Sequence, residues 1–265
     1  MNDDPTDNDD VLVDIADGVG TVTLNRPDRL NTLANPTVGL LVDALDVVAA
    51  DDSVRVVVLA GNGRYFCAGA DQAEMVERKP QEWEPIVRRY LDPVRAIVGM
   101  DKPVIAALHG DAVGGGLGLA LASDFRIAAR GIRLGAPFTP IGLAGCDMSA
   151  GWFLPRLVGL GRATELMFTG RLVDADEALD IGLVQQVVDA DGLSDAVAGL
   201  AARLADGPPI AHAWTKRAIH RSLGVDMDAE FEFEIFAQVQ CIQTEDHHEG
   251  VLAFQEKRRP EFRGV

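Results

Sequence analysis

The chemistry legible in this chain begins with glycine. His109–Ala122 reads HGDAVGGGLGLALA, and Phe66–Asp71 reads FCAGAD. Each follows an apolar run of strand length, KPVIAALHG and VRVVVLAG, and each leads into a helical pattern. A loop that opens a helix carries unpaired N–H groups and the positive end of the helix dipole. In a parallel sheet both loops leave from the carboxyl edge, where ligands usually bind. Two such loops can aim two N–H donors at one oxygen, which is an oxyanion hole made of backbone. The plainer reading is that the glycines only let helix and strand pack closely, and Gly118 fits it best. Other glycine chemistries fail on spacing. In a G-x-G-x-x-G count the sixth residue from Gly114 is Leu119, and from Gly116 it is Leu121. Neither a G-K-[ST] loop nor a G-x-S-x-G elbow is present.

The elements that must position these loops alternate. VLVDIADGVGTVTLN alternates apolar and polar residues about Asp17-Gly18, a hairpin signal. Asn35-Pro36 offers an N-cap and a first-turn proline to the helix TVGLLVDALDVVAADD. QAEMVERK and the stretch from Gln81 to Met100 read as helix, GLGLALA as helix, DFRIAA as strand and LVQQVVD as a last strand. Strands alternating with helices predict an α/β fold with a buried parallel sheet. Three domains are expected. Residues 1–10, MNDDPTDNDD, form a disordered acidic tail, and residues 11–205 the core. Residues 206–265 form a purely helical appendage that packs on a neighbouring subunit or on its own core.

Bulk composition bounds the function. With 265 residues, 48% hydrophobic, the chain can bury a large core. A net charge of −17 without a basic stripe argues against nucleic acid. No apolar run reaches membrane-spanning length and Met1 opens no signal-peptide pattern, so the expected location is cytoplasmic. Cys67, Cys146 and Cys241 are too few and too scattered for a disulfide framework. No metal-ligand spacing appears.

Several ordered motifs resemble the enoyl-CoA hydratase/isomerase (crotonase) superfamily. They are FCAGADQAEM, KPVIAALHGDAVGGGLGLALASDFRIA, LPRLVGLGRATELMFTGRLVDADEALDIGLVQQVV and FQEKRRPEF, and the similarity runs from about Val11 to Phe262. The resemblance implies a crotonase-like spiral of ββα units with a helical C-terminal region that builds trimers or pairs of trimers. It implies an acyl-CoA thioester as substrate, with coenzyme A part of that substrate and no other cofactor. By position, the oxyanion donors would be the N–H groups of Ala70 and Gly115. Ala68, Asp71, Gly114 and Phe138 would line the site. Arg26, Arg29 and Lys257 would meet the anionic coenzyme A, Lys257 from a neighbouring subunit.

The pattern also breaks. Hydratases of the family activate water with two glutamates, and here those positions are Gly118 and Phe138. Neither can supply an acid or a base. Asp147, in IGLAGCDMSAGWFLPRL, stands about where isomerases and dehalogenases of the superfamily place a working aspartate. Because it precedes a helix, the plainer reading is an N-terminal cap, and the catalytic reading is preferred. His109 reads as a hydrogen-bonding loop residue, His247-His248 as a surface pair, and Asp124 as a core hydrogen-bonding group. Three activities therefore compete: double-bond isomerisation with Asp147 as acid/base, hydration with carboxylates such as Glu74 or Asp111, and acyl-CoA binding without turnover.

Overall fold

The hairpin forms as its alternation predicts: β1 (Val11–Ala16) pairs antiparallel with β2 (Val19–Leu24) around Asp17-Gly18. The computed structural model describes residues 10–265. The acidic tail expected over 1–10 lies outside the described residues except for Asp10, which is part of the fold. Its carbonyl accepts from the Asn25 N–H at 2.7 Å, and its carboxylate from Thr37 Oγ1 at 3.0 Å.

From the hairpin the chain runs through α1 (Asn35–Ala50), β3 (Val56–Gly61) and β4 (Tyr65–Cys67) to α2 (Pro80–Tyr90) and α3 (Asp92–Gly99). Next come β5 (Val104–Leu108), β6 (Asp111–Val113), α4 (Gly115–Ala122), β7 (Phe125–Ala129) and β8 (Arg133–Gly135). After α5 (Ala150–Leu157) and α6 (Leu160–Thr169) follow β9 (Val173–Asp174), α7 (Ala175–Asp180) and β10 (Gln186–Val188). Four helices close the chain: α8 (Leu193–Ala205), α9 (Pro209–Ser222), α10 (Met227–Ile242) and α11 (Glu245–Glu256).

Two sheets result. One has the order β1-β2-β3-β5-β7-β10 and is parallel beyond the hairpin; the other has the order β4-β6-β8-β9. β5 is buried at every position, as its unbroken apolar run requires of a strand covered on both faces. The second sheet is absent from the sequence reading, because strands of two or three residues carry no periodicity. It matters for the site, since β4 and β6 carry the two glycine loops side by side.

Three local expectations need correction. The stretch Gln81–Met100 is two helices broken at Leu91, with Pro93 in the first turn of the second. Gln72–Glu74 makes only one tight 3-10 turn, where a longer helix is expected. Asn35 lies inside α1 and its side chain caps nothing; the cap comes from Glu74, described below.

The C-terminal helices form as their patterns predict. Helix α9 is fastened to its own core. Lys216, 5% exposed, donates to the carbonyls of Ile97 (2.8 Å) and Lys102 (3.1 Å) and pairs with Asp124 at 2.8 Å. Asp124 also accepts from the Val104 N–H, so the expectation of a core hydrogen-bonding group is met. Among the described residues, no helix is long and apolar enough to cross a membrane.

Candidate active site

The two glycine loops meet at Gly69 and Gly115. A Cβ on Gly69 would stand 3.1 Å from the Gly115 nitrogen and 2.9 Å from the Val113 carbonyl oxygen. Gly69 has φ +90 and Gly114 φ +56, conformations that favour glycine. Gly116 packs against Cys67, where a Cβ would fall 2.1 Å from the carbonyl oxygen. So the cluster does allow close packing, and the packing is of loop against loop.

Two N–H groups are left over by this arrangement. Leu33 bridges Ala70 in parallel fashion: its N–H donates to Gly69 at 2.8 Å and its carbonyl accepts from Asp71 at 3.0 Å. The bonds to Leu33 come from the residues on either side of Ala70. In extended chain successive N–H groups alternate sides, so the Ala70 N–H faces away from Leu33. Gly115 is the first residue of α4, and a helix has no acceptor for its first N–H groups. The far end of α4 is also braced. Buried Arg126 donates to Ser123 at 2.5 Å and Ala120 at 3.4 Å, a cation at the negative end of the helix dipole. Burial pulls its guanidinium down to about 10 despite Asp124 nearby.

The walls around Gly114 and Gly115 are apolar. Leu33 Cδ1 and Met148 Cε each lie 3.2 Å from where Gly115 would carry a Cβ, and the Phe138 ring comes within 3.5 Å of that point on Gly114. All three side chains are buried. Nothing in the sequence marks out Leu33 or Met148. Both come from segments distant in the chain, and neither carries a polar group to draw attention.

Asp147 lies one residue before Met148. Its Oδ1 accepts from the Met148 N–H at 2.8 Å, and among the described residues none bonds to its Oδ2. It is not the cap of α5: Ser149 holds that position, without a side-chain bond. The main-chain carbonyl of Asp147 instead accepts from the Ala150 N–H at 3.0 Å.

The other carboxylates are engaged elsewhere. Glu74 accepts from the Asn35 backbone N–H at 3.0 Å, from Asn35 Nδ2 at 3.0 Å and from the Tyr90 hydroxyl at 3.3 Å. It caps α1. Burial, with the Glu74 charge beside it, pushes the Tyr90 hydroxyl well above its ordinary value. Asp111 is held by Arg133, with contacts at 2.7, 3.1 and 2.8 Å. Asp71 accepts from Ala73 N, Thr32 Oγ1 and Arg26. Burial works against its charge, but these donors together hold the carboxyl below the usual range.

The cations divide. Arg26 is expected to meet coenzyme A, yet its guanidinium is committed to Thr32 O at 2.6 Å, to Asp71 at 3.4 Å and to Asp10 at 3.3 Å. It clamps the loop that carries Leu33. Arg29 is exposed, and no described residue pairs with its guanidinium. Lys257 is an exposed residue at the C-terminal end of α11, in the left-handed region with φ 58. Ala68 donates its N–H to Leu30 O at 3.0 Å, tying the first glycine loop to the Arg29 segment.

His109 is the bracing residue expected: its ring shares a 3.0 Å hydrogen bond with the Gly63 carbonyl. Burial pulls its pKa below the ordinary value, against that bond. His247 and His248 are exposed neighbours on α11. Among the described residues no cluster of three His, Cys, Asp or Glu could hold a metal ion.

Residues 14–265 match the family model described as enoyl-CoA hydratase/isomerase. The chain is 36% identical over 258 residues to the 1,2-epoxyphenylacetyl-CoA isomerase of Escherichia coli, covering 96% of this chain and 98% of that one. It is 36% identical over 252 residues to the short-chain-enoyl-CoA hydratase of Clostridium acetobutylicum, covering 95% and 96%. Its fold matches the crystal structure of an enoyl-CoA hydratase from Bacillus anthracis with a TM-score of 0.92 at 36% identity, covering 97% of this chain and all of the other.

Proposed function

Since the chain belongs to the enoyl-CoA hydratase/isomerase family of acyl-CoA enzymes, we propose that it shifts a double bond along the acyl chain of an enoyl-CoA thioester, with Asp147 as the acid/base. One observation carries this reading. Asp147 has a carboxylate oxygen that no described residue engages, and it adjoins Met148 against Gly115, whereas Glu74 and Asp111 are bound to Asn35 and Arg133.

The steps balance without a co-reactant. The thioester oxygen accepts from the N–H groups of Ala70 and Gly115. The Asp147 carboxylate removes a proton from the α or γ carbon. The freed C–H pair enters the conjugated system and places negative charge on the thioester oxygen, where the two N–H groups hold it. Removing one such donor costs about 100- to 1,000-fold in rate. The protonated Asp147 then returns its proton to the other carbon, and nothing is added or lost. Relatives carry both isomerase and hydratase names. Hydration needs an acid and a base on water, and the apolar Leu33, Phe138 and Met148 favour isomerisation.

Coenzyme A would meet Arg29 through its phosphates, with the main chain of Ala68 and Gly114 along the thioester and Lys257 entering from a neighbouring copy. A homotrimer, or a pair of trimers, accords with the exposed Phe231, Ile235, Phe236 and Leu252 on α10 and α11.

The test is product analysis of short, long and aromatic enoyl-CoA thioesters in deuterated water. Deuterium entering the α or γ position together with a shifted double bond supports the proposal. Hydroxyacyl-CoA as the product, or no exchange and no turnover with any thioester, overturns it.

A further inference from the structure

The turn that carries Asp147 is seated on α4 at Gly118. The Met148 carbonyl oxygen lies 2.2 Å from the place where Gly118 would carry a Cβ, and Met148 Cβ lies 3.0 Å from it. Ser149 Oγ donates to the Gly118 carbonyl at 3.4 Å. Met148 and Ser149 both occupy the left-handed region, with φ 48 and φ 69. Such a pair of side-chain-bearing residues persists only where the surroundings over-determine it, and the seat on Gly118 is such a surrounding. From that seat the Met148 methyl reaches the Gly115 side of the site, 3.2 Å from the Cβ position there.

Any side chain on residue 118 would therefore displace main chain, which yields less readily than the end of a flexible side chain. We infer that Gly118 is a positioning residue for Asp147. The bare face of α4 lets the carboxylate-bearing turn settle beside the oxyanion donor Gly115. This inference rests on Asp147 being the proton carrier proposed above. It gives Gly118 a role at the site that close packing alone does not.

The experiment is a double-mutant cycle read in two ways. Cys146 is exposed and immediately precedes Asp147, while Cys67 is buried. In a Cys241→Ser background the Cys146 thiol thus reports the position of the turn through its rate of reaction with an aromatic disulfide reagent. Gly118→Ala, Asp147→Asn and the double variant are compared for that rate, for thermal midpoint, and for kcat and KM of solvent proton exchange into an enoyl-CoA. Gly118→Ala should change the Cys146 rate and lower kcat by about 100-fold, the cost of a misplaced group, with KM little altered. In the Asp147→Asn background it should lower kcat no further, because coupled residues are not additive. An equal loss in both backgrounds, or an unchanged kcat, overturns the inference.

If Asp147→Asn alone leaves exchange intact, the functional reading fails. The Cys146 rate still decides whether Gly118 seats the turn, and an unchanged rate overturns that. Should Gly118→Ala not fold, Ser149→Ala loosens the same seat without a clash. A smaller fall in kcat that vanishes with Asp147→Asn is expected, and an unchanged kcat overturns the inference.

Discussion

Gly69 and Gly115 face each other so closely that a Cβ on the first would stand 3.1 Å from the amide nitrogen of the second. This approach sets the segments of Ala70 and Gly115 side by side. Gly69→Ala should separate the loops, because the added methyl meets main chain on the facing loop and the φ of +90 is one that alanine resists. A fall in kcat of about 100-fold or more, the range for a lost oxyanion donor, is expected. Steady-state turnover alongside a thermal melt checks it. An unchanged kcat in a folded variant would remove the hole from this place.

Glu74 tests the boundary between chemistry and structure. Its carboxylate takes the Asn35 N–H at the start of α1. Glu74→Ala should cost about 1 kcal/mol, the usual worth of a lost helix cap, seen as a lowered midpoint in urea. Proton exchange into substrate by the folded fraction should stay as in the parent. Abolished turnover with stability intact would favour Glu74 as a water-activating carboxylate, and with it hydration.

Arg26 and Arg29 should separate in kinetics. Arg29→Ala should raise KM for a coenzyme A thioester and leave kcat unchanged, and the rise should fade at high salt as exposed charges are screened. Arg26→Ala should instead lower thermal stability, because it leaves the buried side of Asp71 without its cation and frees the Thr32 carbonyl. Identical profiles for the two variants would contradict the separate surroundings of Arg26 and Arg29.

Asp124 and Lys216 give the pH dependence. Burial opposes the Asp124 charge, yet His220, Lys216 and the Val104 N–H hold its pKa below the ordinary value. The folded chain therefore binds fewer protons at this site than the unfolded one in the acid range. Its contribution is fully present above the unfolded value of about 3.9. It is lost as pH falls through the lower folded value. Chemical denaturation between neutral and acid pH should show a loss of stability in that window, and the loss should be smaller in Asp124→Asn. Lys216→Met takes the ammonium from the Asp124 carboxylate and leaves the carbonyls of Ile97 and Lys102 without their donor, at a cost of about 3–5 kcal/mol. That would loosen α9 from the core.

Much of the site was legible as sequence because it is local. Strand runs, the hairpin at Asp17-Gly18 and the helix opening at Gly115 depend on the conformational preferences of neighbouring residues. The same holds for the surplus of N–H groups where a glycine loop becomes a helix. What Asn35, Glu74, Arg26 and Asp111 would do was not legible in this way. Their residue types leave several roles open, as cap, acid or coenzyme A contact. Their partners in the fold lie far along the chain: Glu74 on Asn35, Arg26 on Asp71, Asp111 on Arg133.

By itself, then, the sequence determined the two glycine loops, the strands that carry them and the absence of carboxylates at 118 and 138. The tertiary structure alone decided that β4 and β6 lie together, that Leu33 bridges Ala70, and that the Met148 carbonyl rests on Gly118. The reason is physical. Dihedral preference and unpaired N–H groups belong to a short stretch of chain. Which distant carbonyl or carboxylate fills the space beside them is fixed only when the whole core packs without voids.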